Sequence, residues 1–243
     1  MKIVVIGGSG LIGAQVVPIL SGQGHDVVAA SPSTGVNTLT GEGLVLEGAD
    51  VVVDVSNSPS FADDDVMSFF TTSTGVLLEA GKAAGVRHHV VLSIVGTDRI
   101  PDSGYMRAKV AQEKLVRDSG VGYSIVRATQ FFEFATGIAG MSRDATGVVR
   151  LPSVFIQPIA ASEVARIVAG TALDAPVNGH IDIAGPRRYR LDEFIRLAVP
   201  EAQVVTDEAA TYSGARLQPT SLVPVGEVTR LSEVGPSWEM SAR

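Results

Sequence analysis

Tyr105 and Lys109 stand four residues apart at the start of a segment whose apolar residues have helical spacing. Side chains at i and i+4 share one face of a helix, so the lysine ammonium can lie close to the tyrosine hydroxyl. A nearby positive charge lowers the pKa of a tyrosine from about 10, which allows the hydroxyl to exchange a proton near neutral pH. Ser93 ends an apolar run twelve residues earlier and offers a second hydroxyl. By itself, the spacing also fits an exposed helix start with an ion-pairing lysine.

The beginning of the chain predicts a coenzyme with which these side chains would act. The run Lys2–Ile6 is typical of a buried parallel strand. A glycine cluster follows it, and then a segment with apolar residues at helical spacing. A strand, a glycine turn and a helix in this order are typical of a dinucleotide-binding unit. The cluster fits G-x-G-x-x-G through Gly8, Gly10 and Gly13, or the wider G-x-x-G-x-x-G through Gly7, Gly10 and Gly13.

Each glycine of such a turn has a physical task. One turns with positive φ, one lets the backbone approach a pyrophosphate, and one lets the helix pack closely on the strand. The free N–H groups and the dipole of the helix start then favour the negative charge of the pyrophosphate. The residues predicted to contact the coenzyme here are Gly7, Ser9, Gly10, Leu11, Ile12 and Gly13.

The end of the second predicted strand, Asp26–Ala30, bears on the choice of coenzyme. An Asp or Glu at this point would bond the ribose 2′-OH of NAD, but Ser31, Ser33 and Thr34 follow instead. Hydroxyls without a carboxylate leave room for a 2′-phosphate and do not repel it. The sequence therefore favours NADP(H) over NAD(H), although the same residues also fit a plain polar turn.

Further strands and helices alternate along the chain, which predicts an α/β fold with a Rossmann-type doubly wound parallel sheet. The segment 35–48 is expected to be a loop rather than a full helix. Because ligands collect at the carboxyl ends of such strands, Ser56 and Asn57, which follow the third strand, are predicted to border the coenzyme. The remaining predicted elements are strands at 49–55, 87–94 and 121–127, a strand and turn at 180–186, and helices at 11–20, 66–84, 105–119, 162–173 (with Ser162 as its cap) and 191–198.

Composition excludes several classes of protein. The net charge of −7 and the pI near 5.1 argue against a nucleic-acid partner. No window of 18 apolar residues indicates a membrane span, and the strand-like start does not resemble a signal peptide. The absence of cysteine excludes thiolate chemistry and fits a cytoplasmic location. His88 and His89 point to opposite faces of a strand and are interpreted as packing or solvated residues, so no metal site is expected.

The glycine motif, Ser93, Tyr105 and Lys109 together resemble the short-chain dehydrogenase/reductase superfamily. Three further segments are similar to its atypical, NmrA-like NAD(P)H-binding branch, and the likeness covers roughly residues 1 to 225. They are Val53–Phe61, Leu92–Asp98 and Val126–Phe134.

The resemblance implies a role for each matching residue. Tyr105 would be the proton donor to the substrate oxygen, Lys109 would bind the nicotinamide ribose and lower the pKa of Tyr105, and Ser93 would hold the substrate oxygen. Thr129 would lie where the superfamily covers the nicotinamide. Some members of the branch lack the tyrosine and act as coenzyme sensors, so the tyrosine favours catalysis. The helix run contains no asparagine for the proton relay found in some relatives.

The last third of the chain is expected to form a small C-terminal, substrate-facing lobe within about 129–225, in one Rossmann domain of residues 1–243. Gln130, Phe131 and Phe132 are predicted to line its pocket, although ordinary packing explains the phenylalanines equally well. Residues from about 200 onward read as irregular.

Taken together, the sequence predicts an NADP(H)-dependent oxidoreductase that acts on a carbonyl or hydroxyl of a small molecule. A sensor that binds NADP(H) without catalysis is one alternative. An epimerase, dehydratase or isomerase that uses bound coenzyme is another.

Overall fold

A parallel sheet of seven strands forms the centre of the protein in a computed structural model that describes residues 1–226 and 228–236. Val- and Ile-rich strands suit this position because both faces of the sheet are covered. In spatial order, the strands are β2 (Asp26–Ala30), β1 (Lys2–Ile6), β3 (Val51–Asp54), β4 (His88–Ile94), β5 (Tyr123–Ala128), β8 (Gly179–Ala184) and β11 (Arg230–Leu231).

Four helices cover the two faces of the sheet. The helices α1 (Gly13–Gly22) and α5 (Ala161–Leu173) pack on one face, where Val5 and Val53 enter the main apolar cluster. The other face carries α2 (Asp63–Ala84) and α3 (Gly104–Asp118), which also pack against each other. This arrangement confirms the predicted doubly wound α/β class.

The chain passes from β1 to β2 on one side of it, and then crosses from β2 to β3 on the other side of β1. This reversal opens a crevice at the carboxyl ends of β1 and β3, which is where open α/β sheets bind ligands. Within residues 31–50, the connection from β2 to β3 has a 3-10 turn at Pro32–Thr34 and a bridge between Asn37 and Glu42, but no α-helix. The predicted short crossover is therefore confirmed.

A smaller C-terminal lobe has its own apolar cluster, in which Ile156, Leu191 and Phe194 are fully buried. Its core also takes in Met106 from the first turns of α3, and Tyr105 packs against it. The lobe therefore adjoins the tyrosine of interest. Its elements are α4 (Ala135–Met141), α6 (Leu191–Ala198), the parallel pair β6 (Val149–Leu151) and β10 (Val204–Thr206), and the antiparallel pair β7 (Phe155–Ile156) and β9 (Tyr189–Arg190).

Two local predictions were wrong. The stretch beyond residue 200 is not wholly irregular, because it contains β10 and β11, and β11 forms an edge of the main sheet. Strands of two or three residues are too short to show alternation in the sequence.

Ser162 does not cap α5: the helix begins at Ala161, whose N–H donates to both carboxylate oxygens of Glu133 at 3.0 and 3.1 Å. Trp238 lies outside the described residues.

The two adjacent histidines are packing residues, as interpreted from the sequence. His88 and His89 are both buried, and the His88 Nε2 shares a hydrogen bond of 2.8 Å with the Ser124 hydroxyl. Burial lowers the pKa of His88 to about 4, which keeps this imidazole neutral. In residues 1–226 and 228–236, we find neither a cluster of three metal-ligating side chains nor a helix long and apolar enough to cross a bilayer.

A buried ion pair ties α3 to β5. Glu113 is fully buried and accepts hydrogen bonds from Arg127 Nε at 2.8 Å and Nη2 at 2.6 Å, and from Arg117 Nη1 at 3.0 Å. These donors hold the pKa of Glu113 below its usual range, although burial opposes the shift. The position of α3 on the sheet therefore depends on this carboxylate.

Glu113→Gln should destabilise the protein by about 3–5 kcal/mol, because it breaks the buried pair and leaves Arg127 with the more distant carboxylate of Asp98 at 3.3 Å. Chemical denaturation of the variant measures this loss in the free energy of unfolding. The control is Glu79→Gln on the exposed side of α2, which should change stability by less than about 0.5 kcal/mol. Equal effects of the two substitutions would show that the buried pair does not secure α3.

Candidate functional site

The glycine turn after β1 leaves almost no room for side chains. Gly7 has a φ of +78°, and a Cβ there would lie 2.9 Å from the backbone of Ser56 at the end of β3. A Cβ at Gly13 would lie 2.2 Å from the Gly7 carbonyl oxygen, so glycine lets α1 approach the strand end. At Gly10, a Cβ would meet only the Gly7 oxygen, at 3.3 Å.

The structure therefore decides between the two glycine patterns. Gly7 makes the turn, Gly10 leaves the backbone open to a ligand, and Gly13 allows the close packing of the helix, as in the wider spacing. Gly8 has a different task, because a Cβ there would lie 2.8 Å from the Cβ of Ala29 on β2. This fourth glycine brings β2 close to the turn.

The start of α1 presents unpaired backbone donors. Among the described residues, the N–H groups of Leu11, Ile12 and Gly13 have no hydrogen-bond acceptor, and no side chain caps the helix. Unpaired N–H groups and the positive end of the helix dipole suit a diphosphate. These residues and the open backbone at Gly10 therefore fit the pyrophosphate of a dinucleotide.

The hydroxyls predicted to select the coenzyme lie beside this turn. The Ser31 and Ser33 hydroxyls are 2.8 Å apart, and Ser33 Oγ lies 3.3 Å from Ser9 Oγ across the crevice end of β2. The Thr34 hydroxyl instead closes the local turn, since it accepts from the Ser31 N–H and donates to backbone oxygens of Ala29 and Ser31. Ser9 and Ser33 are exposed, and their contact with a coenzyme stays a prediction.

Tyr105 lies at the crevice, where its hydroxyl donates to Asn57 Oδ1 over 2.7 Å. Asn57 belongs to the loop after β3, so this bond joins two predicted site residues. The Tyr105 ring lies between the rings of Phe61 and Phe70, with centroids 5.8 Å away in each case. Burial raises the pKa of Tyr105 to about 12.

Lys109 does not lower the pKa of Tyr105, and that prediction was wrong. The Lys109 ammonium lies 4.3 Å from the centre of the Phe70 ring, and the same ring contacts Tyr105 in an edge-to-face arrangement. It donates to the Leu92 carbonyl oxygen at 2.9 Å and to the Gln112 side-chain oxygen. The two side chains share a helix face, but a buried aromatic ring contacts both of them.

A chain of buried polar groups continues beneath the crevice. The Gln112 amide nitrogen donates to Asp54 Oδ2 at 3.1 Å and to the Thr74 hydroxyl at 3.2 Å, while its oxygen accepts from Lys109. Asp54 ends β3 and also accepts from the Ser56 N–H and hydroxyl. Burial lowers the pKa of Lys109 to about 8, against the opposing influence of Asp54 and Glu113.

Ser93 is hydrogen-bonded away from Tyr105. Its hydroxyl donates to Glu113 Oε1 at 2.7 Å, so Ser93 joins the buried pair of Glu113 and Arg127. Ser93, Tyr105 and Lys109 thus lie on the same side of the sheet, but each has a different hydrogen-bond partner. The roles predicted for them remain predictions.

The segment after β5 contains the residues predicted to cover the nicotinamide and to line the substrate pocket. The Thr129 hydroxyl donates to the Gln157 carbonyl oxygen at 2.6 Å. Phe131 stacks on Phe134 at 4.9 Å and enters the main core, whereas Phe132 packs against the core of the lobe. Gln130 is 7% exposed, and its side-chain oxygen has no partner in the part of the chain that the structure describes. Packing accounts for both predicted phenylalanines, and a contact with substrate stays a prediction.

Comparison with known proteins identifies the domain. A family model described as NAD(P)H-binding matches residues 43–175, which is more than half of the chain. The chain belongs to this NAD(P)H-binding family. The matched residues begin after the glycine turn, so the turn and the unpaired donors at the start of α1 are a separate indication of dinucleotide binding.

Curated relatives of this NAD(P)H-binding protein include proteins with different roles. It is 27% identical over 153 residues to the photosystem II assembly factor Ycf39 of Cyanophora paradoxa, covering 56% of this chain and 48% of that protein. It is 29% identical over 222 residues to the chloroplastic divinyl chlorophyllide a 8-vinyl-reductase of Cucumis sativus, covering 76% and 53%. The chain spans about half the length of these curated relatives.

Among solved structures, the fold resembles an NADPH-dependent quinone oxidoreductase (QOR2) of Escherichia coli. The TM-score is 0.61 at 16% identity, with 85% of this chain and 78% of the other covered. At this identity, the likeness shows a shared fold.

Sequence reasoning missed two polar residues beneath the crevice and one tyrosine of the lobe. Gln112 stands three positions after Lys109, which is the spacing of helical neighbours and could have identified it. Asp54 could have been found as a carboxylate at a strand end. Tyr212 comes from the stretch that was read as irregular, and it packs with Tyr105 against the core of the lobe. Burial and the phenol of Tyr105 raise the pKa of Tyr212.

Lys109→Met tests whether the buried ammonium makes stability depend on pH. The pKa of Lys109 falls from 10.5 to about 8 on folding, so the unfolded chain binds the extra proton between these values. The wild-type protein should therefore gain about 2–3 kcal/mol of stability over the variant between pH 7 and pH 10. Denaturant titrations at both pH values measure the difference.

Lys82→Met is the matched control, because Lys82 is exposed near the end of α2. It should show no comparable pH-dependent gain. If the stability difference between wild type and Lys109→Met is constant over this range, Lys109 is not a charged group held in the interior.

Proposed function

We propose that this protein is an NADP(H)-dependent oxidoreductase of the atypical, NmrA-like branch of the short-chain dehydrogenase/reductase superfamily. It reduces a carbonyl, or oxidises a hydroxyl, of a small organic molecule. The observation that carries the proposal is the position of the Tyr105 hydroxyl, which is hydrogen-bonded to Asn57 at the carboxyl end of β3. A proton donor at this edge of the sheet adjoins the crevice where the diphosphate donors also lie.

NADPH would be held by the open backbone at Gly10 and the N–H groups of Leu11, Ile12 and Gly13, and would supply the hydride that the carbonyl carbon takes. The carbonyl oxygen then takes the proton of Tyr105, the product is an alcohol, and the phenol is restored by a proton from solvent. With a pKa of about 12, Tyr105 is protonated at neutral pH, which is the state that a donor needs. Asn57 Oδ1 orients the hydroxyl before it turns to the substrate.

Lys109 and Ser93 support the site from below in this proposal. The superfamily resemblance gives Lys109 a contact with the nicotinamide ribose, and gives Ser93 a contact with the substrate oxygen. Lys109 reaches a ribose only if it exchanges its bonds with Leu92 and Gln112. While its O–H group donates to Glu113, the Ser93 oxygen can still accept a hydrogen bond from a substrate hydroxyl through its lone pairs.

The hydroxyls beside the glycine turn support a preference for NADP(H). Ser9, Ser31 and Ser33 form a hydrogen-bonded row without a carboxylate, so a 2′-phosphate meets donors and no repulsion. A carboxylate in that row would reverse the electrostatic preference.

Ser33→Asp should therefore weaken NADPH binding at least tenfold and leave NADH binding within a few-fold, because the new charge repels only the 2′-phosphate. Fluorescence titration of each reduced coenzyme measures the dissociation constants. The neutral variant Ser33→Asn is the control and should keep the preference for NADPH. If Ser33→Asp bound NADPH as tightly as the wild type, this row would not contact the 2′-phosphate.

A second candidate function is an NADP(H)-binding protein that assists a partner protein without turnover. Relatives named as photosystem II assembly factors favour it, and so does the engagement of Lys109 away from Tyr105. An isomerase, epimerase or dehydratase with bound coenzyme stays open on the same fold. It would cause no net oxidation of NADPH.

Tyr105→Phe separates these functions, because it removes the hydroxyl and keeps the ring between Phe61 and Phe70. A reductase should lose at least a hundredfold in kcat with an unchanged dissociation constant for NADPH. Turnover is followed by NADPH absorbance with ketone and quinone substrates. Full activity of the variant would remove Tyr105 from the reaction, while coenzyme binding without any turnover by the wild type would favour the assisting role.

A further inference from the structure

The side-chain amide of Asn57 has a fixed orientation. Its oxygen, Oδ1, accepts the Ser58 N–H at 3.0 Å and the Tyr105 hydroxyl at 2.7 Å. A backbone N–H can only donate, so the amide atom that faces Ser58 must be the oxygen. The amide nitrogen, Nδ2, therefore lies on the other arm of this planar group.

The two N–H groups of Nδ2 are unused. Asn57 is exposed at the crevice end of β3, and among residues 1–226 and 228–236 no atom accepts a hydrogen bond from its Nδ2. The neighbouring Tyr105 hydroxyl is also a donor. Two donors on different elements thus stand side by side at the edge of the crevice.

A single oxygen atom can accept from both groups. The oxygen and nitrogen of an amide are at most about 2.5 Å apart, because each lies about 1.2–1.3 Å from the same carbon. With Oδ1 at 2.7 Å from the Tyr105 oxygen, Nδ2 lies within about 5 Å of that oxygen. Two hydrogen bonds of about 2.8–3.0 Å each can bridge this distance. A carbonyl oxygen fits between them once the Tyr105 hydrogen turns from Oδ1 to the substrate.

The loop that carries Asn57 is tied to Tyr105 at two points. Asn57 holds the hydroxyl, and the Phe61 ring lies 5.8 Å from the Tyr105 ring. Within the loop, Ser60 Oγ donates to Asp65 Oδ2 at 2.7 Å, which secures it to the first turn of α2. The amide and the phenol are therefore positioned together, as two donors to one atom must be.

Ser93 cannot supply the second donor to a carbonyl while it is bonded to Glu113. Its hydroxyl hydrogen goes to Glu113 Oε1 at 2.7 Å, and Glu113 is fully buried. A carbonyl oxygen has lone pairs and no hydrogen, so it needs a donor. The unused amide of Asn57 meets this need, and the hydroxyl of Ser93 does not.

We propose that Asn57 is a catalytic residue, which donates a hydrogen bond from Nδ2 to the carbonyl oxygen of a ketone or quinone. When a hydride adds to the carbonyl carbon, the π electron pair of the C=O bond moves to the oxygen, and Nδ2 stabilises the negative charge that develops there. The Tyr105 proton then neutralises this oxygen. The proposal rests on the proposed reductase function and adds to it the second donor to the reacting oxygen.

Two variants separate the amide nitrogen from the amide oxygen. Asn57→Asp keeps an oxygen for Tyr105 and Ser58 but removes the donors, and Asn57→Leu removes both without adding a charge. Each should lower kcat for a ketone or quinone about a hundredfold, as the loss of one donor to a developing oxyanion does. Each should keep the NADPH dissociation constant within a few-fold of the wild-type value, because the donor faces the substrate.

Asn178→Asp is the matched control for the added charge. The Asn178 side-chain oxygen also accepts a backbone N–H, that of Tyr123 at 3.2 Å, and it lies at the amino end of β5, away from the crevice. Asn178→Asp keeps this acceptor and adds the same charge. It should leave kcat unchanged.

The carbonyl stretching band of bound acetophenone gives a readout that needs no turnover. The experiment uses the full chain with NADP⁺, which has no hydride to give, and difference infrared spectroscopy of acetophenone labelled with ¹³C at the carbonyl. Hydrogen bonds from two donors should lower the frequency of this band relative to acetophenone in hexane. Asn57→Leu should reduce or abolish the shift. An unchanged shift in this variant, or no shifted band in the wild type, would overturn the assignment.

The outcomes separate this proposal from the one on which it rests. Wild-type kcat in Asn57→Asp would leave Asn57 only its orienting oxygen, so the second donor would be wrong and the reductase function would stand. NADPH binding weakened tenfold with unchanged kcat would assign the amide to the coenzyme, which also overturns the proposal. A shifted acetophenone band that depends on Asn57, in a protein without turnover, would support the donor pair while the reductase function fails alone.

Discussion

The buried carboxylate of Glu113 is the interaction on which the rest of the site depends. It accepts hydrogen bonds from Ser93 on β4, from Arg127 on β5 and from Arg117 on its own helix, so it joins two strands to α3. A fully buried charge is tolerated only when its lone pairs are satisfied, and four donors satisfy them here. Because α3 also carries Tyr105 and Lys109, this carboxylate fixes the height and rotation at which both reach the crevice.

Burial affects the two residues of the Y-x-x-x-K pair in opposite ways. It raises the pKa of Tyr105 and lowers that of Lys109, because in each case the charged form loses its hydration. The phenol therefore keeps its proton, and the ammonium holds its proton less firmly than a solvated lysine. Phe70 contacts both groups. The Tyr105 hydroxyl donates its hydrogen bond to Asn57 and has none with Lys109 among the described contacts.

The crevice combines contributions from both halves of the chain. The first half supplies the glycine turn, the hydroxyl row and Tyr105, all at the carboxyl ends of neighbouring strands. The second half supplies the C-terminal lobe, and the lobe is held to the first half by the packing of Met106 into its core. The glycine turn and Tyr105 therefore lie at a sheet edge that adjoins a separately packed lobe.

The sequence by itself determined the sheet and the glycine turn, and it singled out Tyr105 as a candidate. Strands such as β1 and β2 and the helix α6 were predicted to the residue, because their apolar periodicity and glycine borders are local signals. The family-like spacing of Ser93, Tyr105 and Lys109 is also local. Only the tertiary structure decided what these side chains bond to, which glycine spacing applies, and that residues beyond 200 supply a sheet edge and Tyr212. Those outcomes depend on contacts between residues far apart in the chain, such as Asp54 with Gln112 and Ser93 with Glu113, and no periodicity along the sequence encodes such contacts.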